Sequence, residues 1–288
     1  MALRQMGLAN SIINLAFGTL YNAAFVLAMR LTGYVRVLAF ASTHGLDVVS
    51  ARLSTTESNA RVGEMMAQAT RLHAIVALPA GMIVLLLSDP LMHLWVSRVA
   101  SEPKTVTMAV ALSQIMVIGM TARGISDCWT RMLYGAGFIR AYAPLVLLGG
   151  ILNPIMAIIL IFVLPETVNY LGPVLAFAGI FVVIHFSIIP FIAARCLQLS
   201  VGQVLMPVMR PAIVTAMTSP VLLLPSLFGS PRSPIAVLAA LALFGLVTAA
   251  LTWFIALNGD DRSRLVGGVK RQLGRSARHA PAASSNVN

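Results

Sequence analysis

Long apolar stretches without charge alternate with short basic segments along this chain. Four stretches are clean: Ala141 to Pro165, Thr167 to Ala194, Pro211 to Pro231 and Ser233 to Gly259. About 20 apolar residues carry a helix across roughly 30 Å of hydrocarbon, so each can span a membrane with some tilt. Two more are interrupted. Ala74 to Val96 contains Asp89, and Thr105 to Ala122 continues towards Leu133. Gln5 to Met29 is longer than the apolar region of a secretory signal, and no polar domain follows it, so it reads as the first span. Leu31 to Val49, which contains Arg36 and Asp47, reads as the second. The pattern predicts an all-α polytopic transmembrane bundle of about eight spans.

Composition agrees with that reading. Of 288 residues, 58% are hydrophobic and 10% charged, against about a quarter charged in a soluble domain. Mean hydropathy is +0.88. The net charge of +11 lies in short loops and a tail, which makes the anionic bilayer surface its expected partner and excludes nucleic acid. Eight spans put both termini on one side. With the tail cytoplasmic, that side holds Arg4, Arg52, Arg61, Arg71, Arg131, Arg140, Arg195, Arg210, Arg262, Arg264, Lys270, Arg271, Arg275 and Arg278. The outer side holds Arg30, Arg36, Arg98, Lys104 and Arg232. Fourteen against five follows the positive-inside rule. The expected location is the plasma (inner) membrane, with both termini cytoplasmic.

Ser54 to Arg71 is polar and mixed in charge, and is expected to form a cytoplasmic connector helix. The tail 259–288 is basic, and its last ten or so residues are expected to be disordered. Cys128 and Cys196 sit in or beside apolar runs and form no metal motif or disulfide framework. There is no phosphate-binding loop, nucleophile elbow or Cys-x-x-Cys. No cofactor and no enzymatic activity are expected.

Ionisable residues inside spans are costly and mark cavities or substrate paths. Arg123 and Asp127 are four apart and share a helix face. They read either as a polar point that holds a phosphate through Arg123 or as a structural pair, with Arg131 one turn on. Arg36 and Asp47 are eleven apart, close to three turns, with His44 beside Asp47. On one helix they form a hydrophilic stripe suited to a cavity, with Arg30 and Arg36 alternatively anchoring at the interface. His185 stands alone in an apolar run and reads as an interhelical hydrogen-bonding residue or a proton relay.

The order of several short segments carries a resemblance. Leu20-Tyr21-Asn22-Ala23-Ala24-Phe25 resembles the G-L-Y-N-A-A-Y pattern of the polysaccharide exporters and oligosaccharide-lipid flippases. Ala51-Arg52-Leu53-Ser54 is similar to their P-R-L-S. Leu86-Leu87-Ser88-Asp89-Pro90-Leu91 with Leu94-Trp95, Gly135-Ala136-Gly137 with Gly150-Ile151-Leu152-Asn153, and Pro165 to Ala178 follow in the family's order. The chain thus resembles the C-terminal half of the multidrug/oligosaccharidyl-lipid/polysaccharide exporter superfamily. That resemblance implies a six-helix lobe over 1–200, two additional helices over 201–258 and a tail over 259–288. It also implies export of a lipid-linked oligosaccharide or polysaccharide, in lipopolysaccharide or exopolysaccharide synthesis. Arg36, Arg123 and Arg30 would face the phosphates, with Asp47 and Asp127 as their partners or ion-coupling groups. Expected partners are the lipid-linked glycan, a missing N-terminal lobe or glycan-assembly enzymes. A cation-coupled drug exporter of the same fold, a membrane glycan polymerase or ligase, and a half-protein with a scaffolding role are the alternatives. Ala51 stands where the family has Pro, and Val26 where a basic residue is common.

Overall fold

The structure is a computed structural model that describes residues 14–41, 45–56, 59–96, 103–229, 231–259 and 261–263. It is a polytopic membrane helix bundle without strands among the described residues. The helices are α1 (Thr19–Ala41), α2 (Leu46–Thr56), α3 (Asn59–Val96), α4 (Pro103–Gly135) and α5 (Ile139–Val163). They continue as α6 (Asn169–Cys196), α7 (Val201–Leu227) and α8 (Pro234–Ala256). Seven of them are long and apolar enough to cross a membrane; α2, of 11 residues, is not.

Among the described residues seven such helices stand where about eight were expected, and α1 runs unbroken through the expected boundary between the first two spans. Arg30 was taken as the boundary between Gln5–Met29 and Leu31–Val49, but it lies in mid-helix with its side chain exposed. A single Arg does not break a helix; the chain turns instead at Gly45, whose φ of +84° suits glycine. Seven crossings would leave the start of α1 and the end of α8 on opposite faces. The shared side expected for the two termini rested on an even number. The termini themselves, 1–13 and 264–288, lie outside the described residues, as do His44 and nearly all of the basic tail.

Of the expected connector Ser54–Arg71, the part from Asn59 is continuous with the span after it, while Ser54–Thr56 end α2. From Asn59 the helix runs 38 residues as α3, about 57 Å long at 1.5 Å per residue. It carries Pro79 and Pro90 inside it. At the other end of the chain, α7 starts ten residues before the expected Pro211. Ser200 caps it: its hydroxyl accepts from the Gln203 backbone N–H at 3.2 Å, while the Gln203 side chain accepts from the Ser200 N–H at 2.8 Å.

Helix α4 is the axis of the bundle. In its most apolar stretch 61% of residues are buried, against 17% for α5, which lies at the lipid-facing edge. It packs against α1, α2, α3 and α6. Close approach needs small residues. A Cβ on Gly119 would meet the Ala178 Cα at 3.0 Å, and one on Gly124 would meet the Ala39 Cβ at 3.3 Å. At Gly135 a Cβ would run into the Asp47 carbonyl oxygen, the Ser50 Cβ at 2.9 Å and the Ala51 nitrogen at 3.0 Å. There α2 lies across the end of α4, held by the Ser50 hydroxyl donating to the Met132 carbonyl at 2.9 Å. Backbone atoms cannot rotate aside. Gly135→Ala is therefore expected to lower stability by about 2 kcal/mol, read as a drop in thermal midpoint, and to raise hydrogen exchange in α2. An unchanged midpoint and unchanged α2 exchange would show that α2 is not seated this way.

Contacts sort the polar residues onto two faces. On one, Arg71 pairs with Asp261, Arg210 bonds Asn258, and the Arg131 guanidinium lies 4.3 Å from the Phe40 ring centre. On the other, Asp89 accepts two hydrogen bonds from Arg232, at 3.2 and 3.3 Å, and Lys104 lies 6.0 Å from the Tyr21 ring centre, beside Tyr170. Among the described residues the first face gathers most of the arginines.

Asp261 fastens the segment after α8 to α3. It accepts from Gln68 at 2.7 Å, from Arg71, and from the Asn258 N–H at 3.3 Å. Burial alone would raise its carboxyl pKa. These hydrogen bonds and the Arg71 charge outweigh burial and hold it below the usual carboxylate range. A carboxyl held low in the folded state stabilises fully above its unfolded pKa of about 3.9 and loses that contribution as pH falls through the lower folded value. The contact is thus expected to hold from neutrality to about pH 4 and to open below it. Asp261→Asn should open it at every pH, seen as faster hydrogen exchange over 256–263. Equal exchange in the variant would remove Asp261 as the fastener.

Candidate functional site

Two arginines and one aspartate meet between α1 and α4. Arg123 and Asp127 are one turn apart on α4, and Arg36 reaches the same carboxylate from α1. The Arg36 Nε lies 4.0 Å from Asp127 Oδ2, and the Arg123 Nε lies 4.0 Å from Oδ1. At 4.0 Å these are ion pairs rather than hydrogen bonds. The Arg123 Nε is buried and makes no hydrogen bond among the described residues. Two guanidiniums around one carboxylate leave one net positive charge. Their side chains are not sealed: Arg36 is 34% exposed, Asp127 18% and Arg123 16%.

Helix α6 supplies the third wall. The Arg123 guanidinium lies 5.4 Å from the Phe181 ring centre, in range of a cation–π contact. One turn later the His185 ring stacks on Phe181 at 5.1 Å, and its Nδ1 shares a hydrogen bond with the Ser126 hydroxyl on α4. His185 lies in a π-helical turn, Val183–Ile188, followed by Pro190. A π turn adds a residue to the helical repeat and re-aims the side chains that follow; such turns recur at functional sites. The His185–Ser126 bond is the interhelical link that the sequence pointed to.

Geometry sorts the sequence-derived candidates. Arg36, Arg123 and Asp127 are brought together. Asp47 does not share a helix with Arg36: the turn at Gly45 places it on α2, where its backbone faces Gly135 at the end of α4. The expected Arg36–Asp47 stripe is therefore not one helix face. Arg30 is exposed on α1. Six residues from Arg36 correspond to about 9 Å and 240° around the axis, so it lies outside the cluster. Ser126 and Phe181 were not singled out from sequence. Nothing local marks them; they matter through residues on other helices.

The family profile described as MatE matches residues 5–159, which include α1 to α4, most of α5, and Arg36, Arg123 and Asp127. The chain belongs to the MatE family. MatE proteins are membrane exporters of the superfamily whose pattern the sequence resembled, and they are transporters rather than enzymes. No curated protein and no solved structure matches the chain. His185 and Phe181 of this MatE chain lie beyond the matched residues, so the family match covers two walls of the cluster and not the third.

Two cavities lie away from the cluster. One, of about 270 Å³, is apolar and lies between α3, α4 and α6, beside Gly81, Thr121 and Phe186. The other, of about 580 Å³, lies between α3 and α7 near Arg71 and Arg210. Among the described residues no group of His, Cys, Asp and Glu has the arrangement of a metal site.

Proposed function

We propose that this MatE chain moves a lipid-linked oligosaccharide or polysaccharide across the plasma membrane, with the Arg36–Asp127–Arg123 cluster receiving the phosphates. The observation that carries this reading is the sign of the cluster. Its two guanidiniums outnumber its one carboxylate, and both lie 4.0 Å from that carboxylate without hydrogen-bonding it. Their N–H donors remain for an oxyanion. Arginine forks match phosphate geometry and gain strength away from water. A lipophilic cation, the substrate class of a drug exporter, would meet net positive charge here. Pairing with Asp127 lowers the cost of keeping two cations at this depth.

The arginine-rich face is the cytoplasmic one under the positive-inside rule. The cluster then lies towards the cytoplasmic half of α4, where a substrate made in the cytoplasm would enter. Alternating access would tilt this helix set against a second lobe, with the net charge exposed to each side in turn. The cycle would then respond to the membrane potential, by about 2.3 kcal/mol per charge per 100 mV moved.

The test is export of surface glycan in cells whose own exporter is deleted. Arg36→Ala/Arg123→Ala is expected to leave export at background with normal membrane abundance. Full export by that variant would remove the cluster from the substrate path.

A further inference from the structure

The 580 Å³ cavity lies between the first turns of α3 and of α7. The first turns of α3 and the first ten residues of α7 pack side by side on the arginine-rich face. Gly63 lies against Leu199, just ahead of α7: a Cβ there would meet the Leu199 Cδ2 at 2.7 Å. Helix α8 ends at the level of Arg210, whose guanidinium donates to the Asn258 side chain at 2.8 Å. That level also holds Arg71 and Asp261. Charged and amide side chains at this level suit a headgroup layer better than hydrocarbon.

Its lining has two chemistries. Arg71, Arg210, Gln203 and Asn258 make a polar end, and Met206 and Met209 an apolar wall. The charges are unequally matched. Arg71 is paired with Asp261, and Glu64 with Arg61. Arg210 bonds a neutral amide and has no carboxylate partner among the described residues. The apolar wall does not stop at the cavity. Met206, Met209, Ile213 and Met217 are 69%, 53%, 50% and 60% exposed. Their spacing of three and four residues lines them up on one face of α7, which runs from the cavity along the span. A water-soluble anion would use the polar end and leave this stripe unused. An anionic headgroup with an attached hydrocarbon chain uses both.

We propose that this cavity binds an anionic phospholipid, its phosphate on Arg210 and an acyl chain along the Met206–Met217 stripe. The lipid bridges α3 and α7, and so fastens the last two helices to the rest of the bundle. It is separate from the Arg36–Asp127–Arg123 cluster and does not depend on what that cluster carries.

The experiment is native mass spectrometry of the full chain in neutral detergent, titrated with phosphatidylglycerol or phosphatidylcholine. Phosphatidylglycerol adducts are expected to persist where phosphatidylcholine adducts do not. Arg210→Gln should weaken them about tenfold, and Arg210→Lys should restore most of the loss. Arg232→Gln, on the opposite face, should leave them unchanged. Met206→Gln/Met209→Gln should weaken them with Arg210 intact, which tests the stripe even if Arg210→Gln folds poorly. Equal retention of both lipids, full retention in Arg210→Gln, or displacement of phosphatidylglycerol by equimolar inorganic phosphate would each overturn the proposal. The last result would mean a free-anion site.

Discussion

Arg123→Ala alone is expected to reduce glycan export to background, at least a hundredfold below the unaltered chain, on the scale of a lost buried charge–phosphate contact of about 3 kcal/mol. The reason is the small number of charges involved. With Arg123 gone, Arg36 and Asp127 remain 4.0 Å apart and cancel. The cluster becomes neutral, and its most buried guanidinium is lost. Arg123→Lys keeps the charge but not the fork, and should retain partial export, roughly a tenth. Asp127→Asn separates charge from structure. It leaves two arginines without a carboxylate, which should cost stability while leaving anion affinity intact or raised. Initial rates of glycan appearance at the cell surface, normalised to protein in the membrane, decide among these. Unimpaired rates for both Arg123→Ala and Arg123→Lys would mean that the guanidinium does not touch the substrate.

Trp129→Ala carries the largest expected effect on stability. Trp129 is fully buried in α4. Its indole N–H donates to the Thr70 hydroxyl of α3 at 2.8 Å, and its ring meets Phe186 of α6 edge-on at 6.0 Å. One side chain therefore joins three helices. In a membrane, burial against protein instead of lipid gains little transfer energy, so packing dominates. The loss is expected near the low end for Trp→Ala, about 3 kcal/mol. Trp129→Phe, which keeps most of the ring volume and loses the hydrogen bond, should cost about 1 kcal/mol. Thermal unfolding in detergent measures both. Equal losses would assign the effect to the hydrogen bond rather than to the packed ring.

The apolar helices were legible because length and lack of charge are local properties. Ala141–Pro165 and Ser233–Gly259 lie within a few residues of α5 and α8. Charge misled where it was taken as a boundary. Arg30 interrupts a run of apolar letters but not a helix, and the real turn at Gly45 sits inside what reads as a span. The start of α7 was missed for the same reason: Arg210 and Pro211 look like an edge, yet the Ser200–Gln203 capping box begins the helix ten residues earlier. In the candidate site, Arg123 with Asp127 was legible from its i, i+4 spacing. Arg36 was a candidate, but its meeting with Asp127 depends on how α1 crosses α4, which no local pattern contains. Asp47 was paired with Arg36 by extending one helix through a glycine that ends it. Phe181 and Ser126 are unmarked in sequence, because a Phe and a Ser in a membrane helix are ordinary until an arginine and a histidine pack against them.

Selection of an anionic, phosphate-bearing lipid by the Arg36–Asp127–Arg123 cluster is decided by equilibrium binding of a fluorescent isoprenyl pyrophosphate and of a lipophilic cation to the same purified protein. The pyrophosphate is expected to bind, and Arg36→Ala/Arg123→Ala to abolish that binding while the protein still melts cooperatively. The cation is expected to bind weakly or not at all. Tight cation binding that survives loss of both arginines and disappears in Asp127→Asn would contradict it, and would make the cluster the acidic site of a drug exporter instead.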